Sequence, residues 1–114
     1  MDAYNANPTS MALSVANFAK AAYRDKLMIL GDMFELGVYS EKEHETISKL
    51  VRQTGIETFF VGVDFFRCSH YLGAQFFKTT EELIEHLTDS KIEQRTILLK
   101  GSRSMGLEKA KNYL

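Results

Sequence analysis

Three short stretches of this 114-residue chain concentrate the side chains that can do chemistry. The first, DAYNANPTS from Asp2 to Ser10, sets a carboxylate, a phenol and two carboxamides in a turn. Asn5 and Asn7 can each donate and accept hydrogen bonds, which suits a nucleotide or a peptide, and the Asp2 carboxylate can accept from both hydroxyls of a ribose. Helix capping accounts for Asn7 equally well and leaves Asp2 and Tyr4 without a role. The second stretch, GDMFELG from Gly31 to Gly37, places Asp32 and Glu35 directly after an apolar run and between glycines. Two carboxylates there can bind a cation, orient a substrate amine or position a nucleophile, although a solvated turn would use the same residues. In the third, KGSRSMG from Lys100 to Gly106, the glycines allow close backbone approach and Ser102 and Ser104 offer hydroxyls. Arg103 adds a fork that can grip a carboxylate in bidentate fashion. Capping of a following helix is the plainer role for one of the serines. No GxxxxGK[ST] run occurs in the chain, so none of these loops is a phosphate-cradling P-loop.

The elements that must carry the loops can be read from periodicity. Asn7 before Pro8 marks a helix start, and Met11, Val15, Phe18, Ala19 and Ala22 recur at helical spacing as far as about Tyr23. Lys26 to Leu30 is a short apolar run ending at Gly31, the pattern of a strand covered on both faces. Ser40 with Glu43 reads as a capping box for a second helix, with Ile47, Leu50 and Val51 on its core side and Gly55 at its end. Glu57 to Val61 is the next buried strand, with a short helical piece from Asp64 to His70 and a shorter strand over Gln75 to Phe77. Thr79 or Thr80 caps a helix carrying Leu83, Ile84 and Leu87, Arg95 to Leu99 is the last strand, and a final helix comes after Gly101. Strands alternating with helices predict an α/β fold. The expected form is a Rossmann-like three-layer sandwich, with a mostly parallel sheet and helices on both faces. In such sheets ligands bind beyond the carboxyl ends of the strands, where the second and third loops fall.

Composition narrows the function classes. Fourteen basic against fifteen acidic side chains give a net charge of -1, which removes the general attraction that drives nucleic-acid binding. Cys68 is the single cysteine, so neither an internal disulfide nor a cluster of several thiolates is available, and a reducing cytoplasm fits. No apolar run approaches the roughly 20 residues that span a bilayer, and no signal-peptide layout opens the chain, so a soluble domain is expected. His44, His70 and His86 lack ligand spacing and are expected to be structural or solvated, with no metal site. The paired phenylalanines at 59–60, 65–66 and 76–77 are expected in the core, while Met33 and Met105 can line a pocket within the polar loops. The abrupt, turn-rich start reads as the beginning of one domain cut from a longer chain.

DAYNANPTSM (Asp2 to Met11), LGDMFELG (Leu30 to Gly37) and LLKGSRSMGLEK (Leu98 to Lys109), in this order and spacing, resemble the C-terminal domain of the Mur ligase family. Within it they resemble the branch that adds D-alanyl-D-alanine to UDP-N-acetylmuramoyl-tripeptide in peptidoglycan synthesis. The resemblance implies that residues 1–114 are that domain, with the N-terminal and central ATPase domains absent. It implies a cytoplasmic, ATP-dependent amide ligase in which the substrate carboxylate becomes an acyl phosphate and is attacked by the dipeptide's amine. ATP and Mg2+ would be held mainly by the central domain and the UDP-sugar by the N-terminal one, so the fragment alone would hold no cofactor and carry no catalytic residue. The C-terminal domain would close over the central one. Asp2, Tyr4 and Asn5 would then face the nucleotide, and Asn7, Asp32, Glu35, Ser102, Arg103 and Ser104 the substrate side. Two other readings share the architecture. A receiver-like phosphoacceptor domain would use Asp32 and Asp64 after strands and Lys100 at the end of the last one, but it wants a proline after the lysine, where this chain has Gly101. A folylpolyglutamate ligase domain would be expected to lack the asparagine pair and the KGSRSMG loop.

Overall fold

The computed structural model describes residues 6–114. Asp2, Tyr4 and Asn5, the expected nucleotide-facing residues, lie outside the described residues. The chain runs α1 (Pro8–Lys20), β1 (Lys26–Gly31), α2 (Ser40–Thr54), β2 (Glu57–Val61), α3 (Val63–Phe66), β3 (Ala74–Phe77), α4 (Thr80–Asp89) and β4 (Thr96–Lys100). A 3-10 turn at Gly37–Tyr39 leads into α2, and two more, Arg103–Met105 and Leu107–Tyr113, come after β4. The four strands form one parallel sheet in the order β3-β2-β1-β4. Alternation along the strands divides the interior in two. Met28, Leu30 and Phe60 pack with Met11, Val15 and Phe18 of α1, Ile47 and Val51 of α2, and Phe65 of α3. Leu27, Ile29, Phe59 and Val61 face the other way, onto Leu83 and Leu87 of α4 and onto Leu107 and Ala110. Helices therefore cover both faces, and the three layers expected from the sequence are present.

Local chemistry explains most element boundaries. The Asn7 side chain accepts the Ser10 N–H at 2.8 Å, and the Ser10 hydroxyl accepts the Asn7 N–H at 3.1 Å, a reciprocal cap on α1. That helix stops at Lys20 rather than Tyr23. Ala21 turns extended, and Lys26 Nζ donates to the Ala19 carbonyl at 2.9 Å, satisfying one of the last-turn acceptors. Gly55 in the left-handed region (φ 74°) ends α2, and Thr79 caps α4 by accepting the Glu82 N–H.

Three expectations are corrected. Ser40 does not cap α2: the preceding 3-10 turn runs straight into the helix, so Ser40 is already helical (φ -57°, ψ -48°), whereas a cap residue needs extended backbone. The helical piece after β2 is a single turn, Val63–Phe66. The final helix is instead a pair of 3-10 turns divided by Gly106 at φ 66°, and neither Ser102 nor Ser104 caps it.

At the amino end of the sheet, Arg95 donates to the carbonyls of Asp25 (3.2 Å) and Lys26 (2.8 Å) and to the Glu57 carboxylate (2.7 Å). At the carboxyl end, strands and loops pack without clearance. Gly62 sits at φ 125°, ψ 159°, backbone that only glycine adopts readily, and a Cβ there would land on the Asp32 carboxyl group. Gly62→Ala should therefore lose about 3 kcal/mol or more in urea unfolding. Gly55→Ala, whose added methyl meets nothing within 4 Å, should lose only the roughly 1 kcal/mol of a left-handed residue. Equal losses would refute the packing argument.

Candidate functional site

Two of the three sequence-marked loops interlock where β1 and β4 end. Asp32 leaves β1 and stays buried, at 3% exposure. Its N–H donates to the Val61 carbonyl, and its own carbonyl accepts the Ser102 N–H, both at 3.0 Å. Its side chain turns inward. Oδ2 accepts the Asp64 N–H and Oδ1 the Phe65 N–H, each at 2.9 Å, so the carboxylate closes the first turn of α3. Burial pushes the Asp32 carboxyl above its usual range, outweighing these two backbone donors, which pull the other way.

The chain then bends across the end of the sheet. Met33 is buried and donates its N–H to His44 Nε2 at 3.0 Å. Phe34 donates its N–H to the Ser102 hydroxyl at 2.8 Å, the second bond between the two loops. Glu35, next in line, is exposed and adopts φ 64°, a left-handed conformation that costs a non-glycine residue about 1 kcal/mol. Strain of this kind gathers where a side chain's placement matters more than local stability. In the other loop Ser102 is buried, Arg103 and Ser104 are exposed, and the Met105 carbonyl is tied to α4 by the Thr80 hydroxyl at 2.6 Å.

The sequence-marked residues thus separate into floor and rim. Asp32 and Ser102 form the floor; Glu35, Arg103 and Ser104 stand on the rim. Asn7 heads α1 and commits its side-chain oxygen to the helix cap. Met33 joins the core with Met11, Leu30 and Phe60, and Met105 packs from partial burial against the opposite core. Beside the Gly31–Gly37 loop, Gly37, Val38, Ser40, Glu41, Asp64 and Arg67 line a cavity of about 450 Å3.

His44, expected to be structural or solvated, is structural and fully buried. Its Nε2 accepts from Met33, and its Nδ1 lies 2.8 Å from the Ser40 carbonyl, which can only accept. The ring is therefore neutral and carries its proton on Nδ1. The 3.9 Å approach of Nε2 to Asp32 is then no ion pair. Asp32, His44 and Asp64 offer ligand atoms within 4.8 Å of one another. The lone pair of His44 takes the Met33 N–H, and each Asp32 oxygen takes a backbone N–H, so two of these three groups already serve backbone closure. Burial of Asp32 beneath these bonds also disfavours the phosphoacceptor reading, which needs that carboxylate within reach of a phosphoryl donor.

The family model for the Mur ligase glutamate ligase domain matches residues 1–103. The chain belongs to the Mur ligase family. A Mur ligase of Escherichia coli, UDP-N-acetylmuramoyl-tripeptide--D-alanyl-D-alanine ligase, is 37% identical over 112 residues, covering 94% of this chain and 24% of its own length. The enzyme of the same name from Rickettsia prowazekii is 33% identical over 117 residues, covering 98% of the chain and 26% of its own. Among solved structures, the UDP-N-acetylmuramoylalanyl-D-glutamyl-2,6-diaminopimelate--D-alanyl-D-alanyl ligase of Acinetobacter baumannii superposes with a TM-score of 0.78 at 25% identity, covering 97% of this chain and 25% of that one. The chain thus spans about a quarter of the length of these Mur ligases.

The raised pKa of Asp32 has a consequence for stability. A carboxyl group that binds its proton more tightly folded than unfolded stabilises the fold fully below the unfolded value, near 3.8, and loses that contribution as pH rises through the folded one. The stability of the wild type relative to Asp32→Asn should accordingly fall as pH is raised from 4. A difference that grows with pH in paired denaturation curves would refute the assignment.

Proposed function

We propose that this chain is the C-terminal domain of a ligase that joins D-alanyl-D-alanine to UDP-N-acetylmuramoyl-tripeptide using ATP. On this reading the domain supplies no bond-making group. It presents a rim of charged side chains to the incoming dipeptide and closes over a nucleotide-bearing domain elsewhere in the longer protein. The observation that carries the reading is the double tie between the two loops, Ser102 N–H to the Asp32 carbonyl and Phe34 N–H to the Ser102 hydroxyl. It joins the loop that carries Glu35 to the loop that carries Arg103. A zwitterionic dipeptide needs an acceptor for its amine and a donor pair for its terminal carboxylate. Glu35 is suited to orient the first, and the guanidinium of Arg103 to grip the second. Ser104 and Asn7 would add neutral donors. Asp32 and Ser102 act beneath, as supports.

ATP and magnesium would be held by the partner domains, with Asp2, Tyr4 and Asn5 as this domain's contribution on the nucleotide side. The sequence contains no P-loop, and Asp32 and His44 already accept backbone N–H groups, so no magnesium site is assigned to these residues. The acceptor sugar-peptide and the chain's own N-terminal and central domains are the remaining partners, in the cytoplasm where such precursors are built.

Replacing Arg103 by alanine in the full-length enzyme should raise the KM for D-alanyl-D-alanine by about tenfold to a hundredfold, the worth of one charge-assisted contact. The KM for ATP should change little. An equal rise in both would remove Arg103 from the dipeptide site.

A further inference from the structure

We propose that His44 is a positioning residue. Its neutral imidazole, protonated on Nδ1, holds the loop from Asp32 to Gly37 in the conformation that presents Glu35, and through Ser102 it sets that loop against the one carrying Arg103. The proposal rests on the dipeptide-site reading above for its kinetic consequence, but its structural part stands on geometry alone.

The backbone N–H of Met33 would be an orphan donor without this histidine. Past Gly31 the chain leaves the strand ladder, and Met33 lies buried at 1% exposure, where water cannot reach its N–H. A buried N–H without an acceptor costs about 1–3 kcal/mol, so this turn is unfavourable unless something accepts there. His44 Nε2 is the acceptor, at 3.0 Å. The ring has no freedom to do otherwise. Nδ1 donates to the Ser40 carbonyl one helical turn earlier, and Phe65 meets the ring edge-on, with centroids 4.7 Å apart at 81°. A fully buried ring on a 15-residue helix thus fixes a backbone atom of a loop eleven residues away in sequence.

The next two residues of the loop depend on that fixed point. With Met33 anchored, the N–H of Phe34 points at the Ser102 hydroxyl, and Glu35 is held at φ 64°. The anchoring on its amino side is what offsets the strain at Glu35. Without the His44 acceptor the turn can relax, Glu35 can leave the left-handed region, and the Phe34 bond to the Arg103 loop loosens. His44 touches neither substrate nor cofactor in this arrangement. It acts through Met33 and Phe34.

The test compares two replacements. Phenylalanine keeps the ring's volume but cannot accept. Glutamine places an amide oxygen near the position of Nε2 and can. In the wild type, imidazole 15N shifts should report a protonated Nδ1 and a bare Nε2, and the amides of Met33 and Phe34 should exchange slowly with solvent. His44→Phe should release both amides, and in the full-length enzyme raise the KM for D-alanyl-D-alanine about tenfold or more while the KM for ATP holds, because small misplacements of a positioning group cost that much. His44→Gln should preserve both amides and the dipeptide KM. Retained protection in folded His44→Phe, an unchanged dipeptide KM despite released amides, or a glutamine variant that behaves like phenylalanine would each overturn the proposal. If His44→Phe does not fold, the wild-type imidazole decides: a proton on Nε2 overturns it and one on Nδ1 supports it. If the full-length wild type fails to use D-alanyl-D-alanine at all, the proposed function falls, while the exchange and 15N results still judge the role of His44.

Discussion

The carboxylate of Asp32 is the constraint around which the carboxyl end of this sheet is arranged. Removing a carboxylate from water costs several kcal/mol unless its oxygens are well satisfied. Here two backbone N–H groups of α3 satisfy them, while the residue's own N–H and carbonyl link β2 and the loop after β4. Four segments therefore meet at one residue. The demand propagates outward: Gly62 cannot bear a Cβ because the carboxyl group occupies that space, and α3 begins where it does because its first donors are already claimed.

The division between floor and rim has its origin there. Hydrogen bonds closed within the protein make the floor, through Asp32, Met33, His44 and Ser102. The groups left on the rim, Glu35, Arg103 and Ser104, are exposed and chemically versatile. A mobile loop could carry the same side chains, but it would need ordering each time a ligand arrived, and that entropy would be subtracted from affinity. A rim on a closed hydrogen-bonded floor has been ordered by folding itself, which is how scaffolds of this class turn loops into specific surfaces.

The strands were legible because each is buried on both faces and so stands out as an apolar run between turn residues, as KLMIL and ETFFV do. Asn7, Pro8, Gly55 and Thr79 announced their helix ends through local chemistry that no tertiary contact overrides. Ser40 misled because a capping box is defined by backbone angles as well as by residue types, and the 3-10 turn before it had already made Ser40 helical. The last helix gave way to 3-10 turns at Gly106, a break that the apolar spacing around it does not reveal. Asp32 and Glu35 looked alike in sequence and have opposite fates. Only the closeness of β2 to β1 decides that one is buried against α3 while the other faces solvent. His44 carried no signal at all, since its partner is a backbone N–H brought near by topology rather than by spacing. That Asp64 and Arg67 share a cavity with Glu41, beside the Gly31–Gly37 loop, was likewise not legible until α2 and α3 were placed side by side.

The sheet is held in different ways at its two ends. At the amino end one guanidinium, that of Arg95, bridges β1 and β2 from a position partly open to water, where salt and solvent compete with it. At the carboxyl end the backbone bonds from Asp32 to Val61 and to Ser102 join buried residues. The two ends therefore answer differently to salt, which weakens the Arg95 bridge and leaves the ties around Asp32 in place.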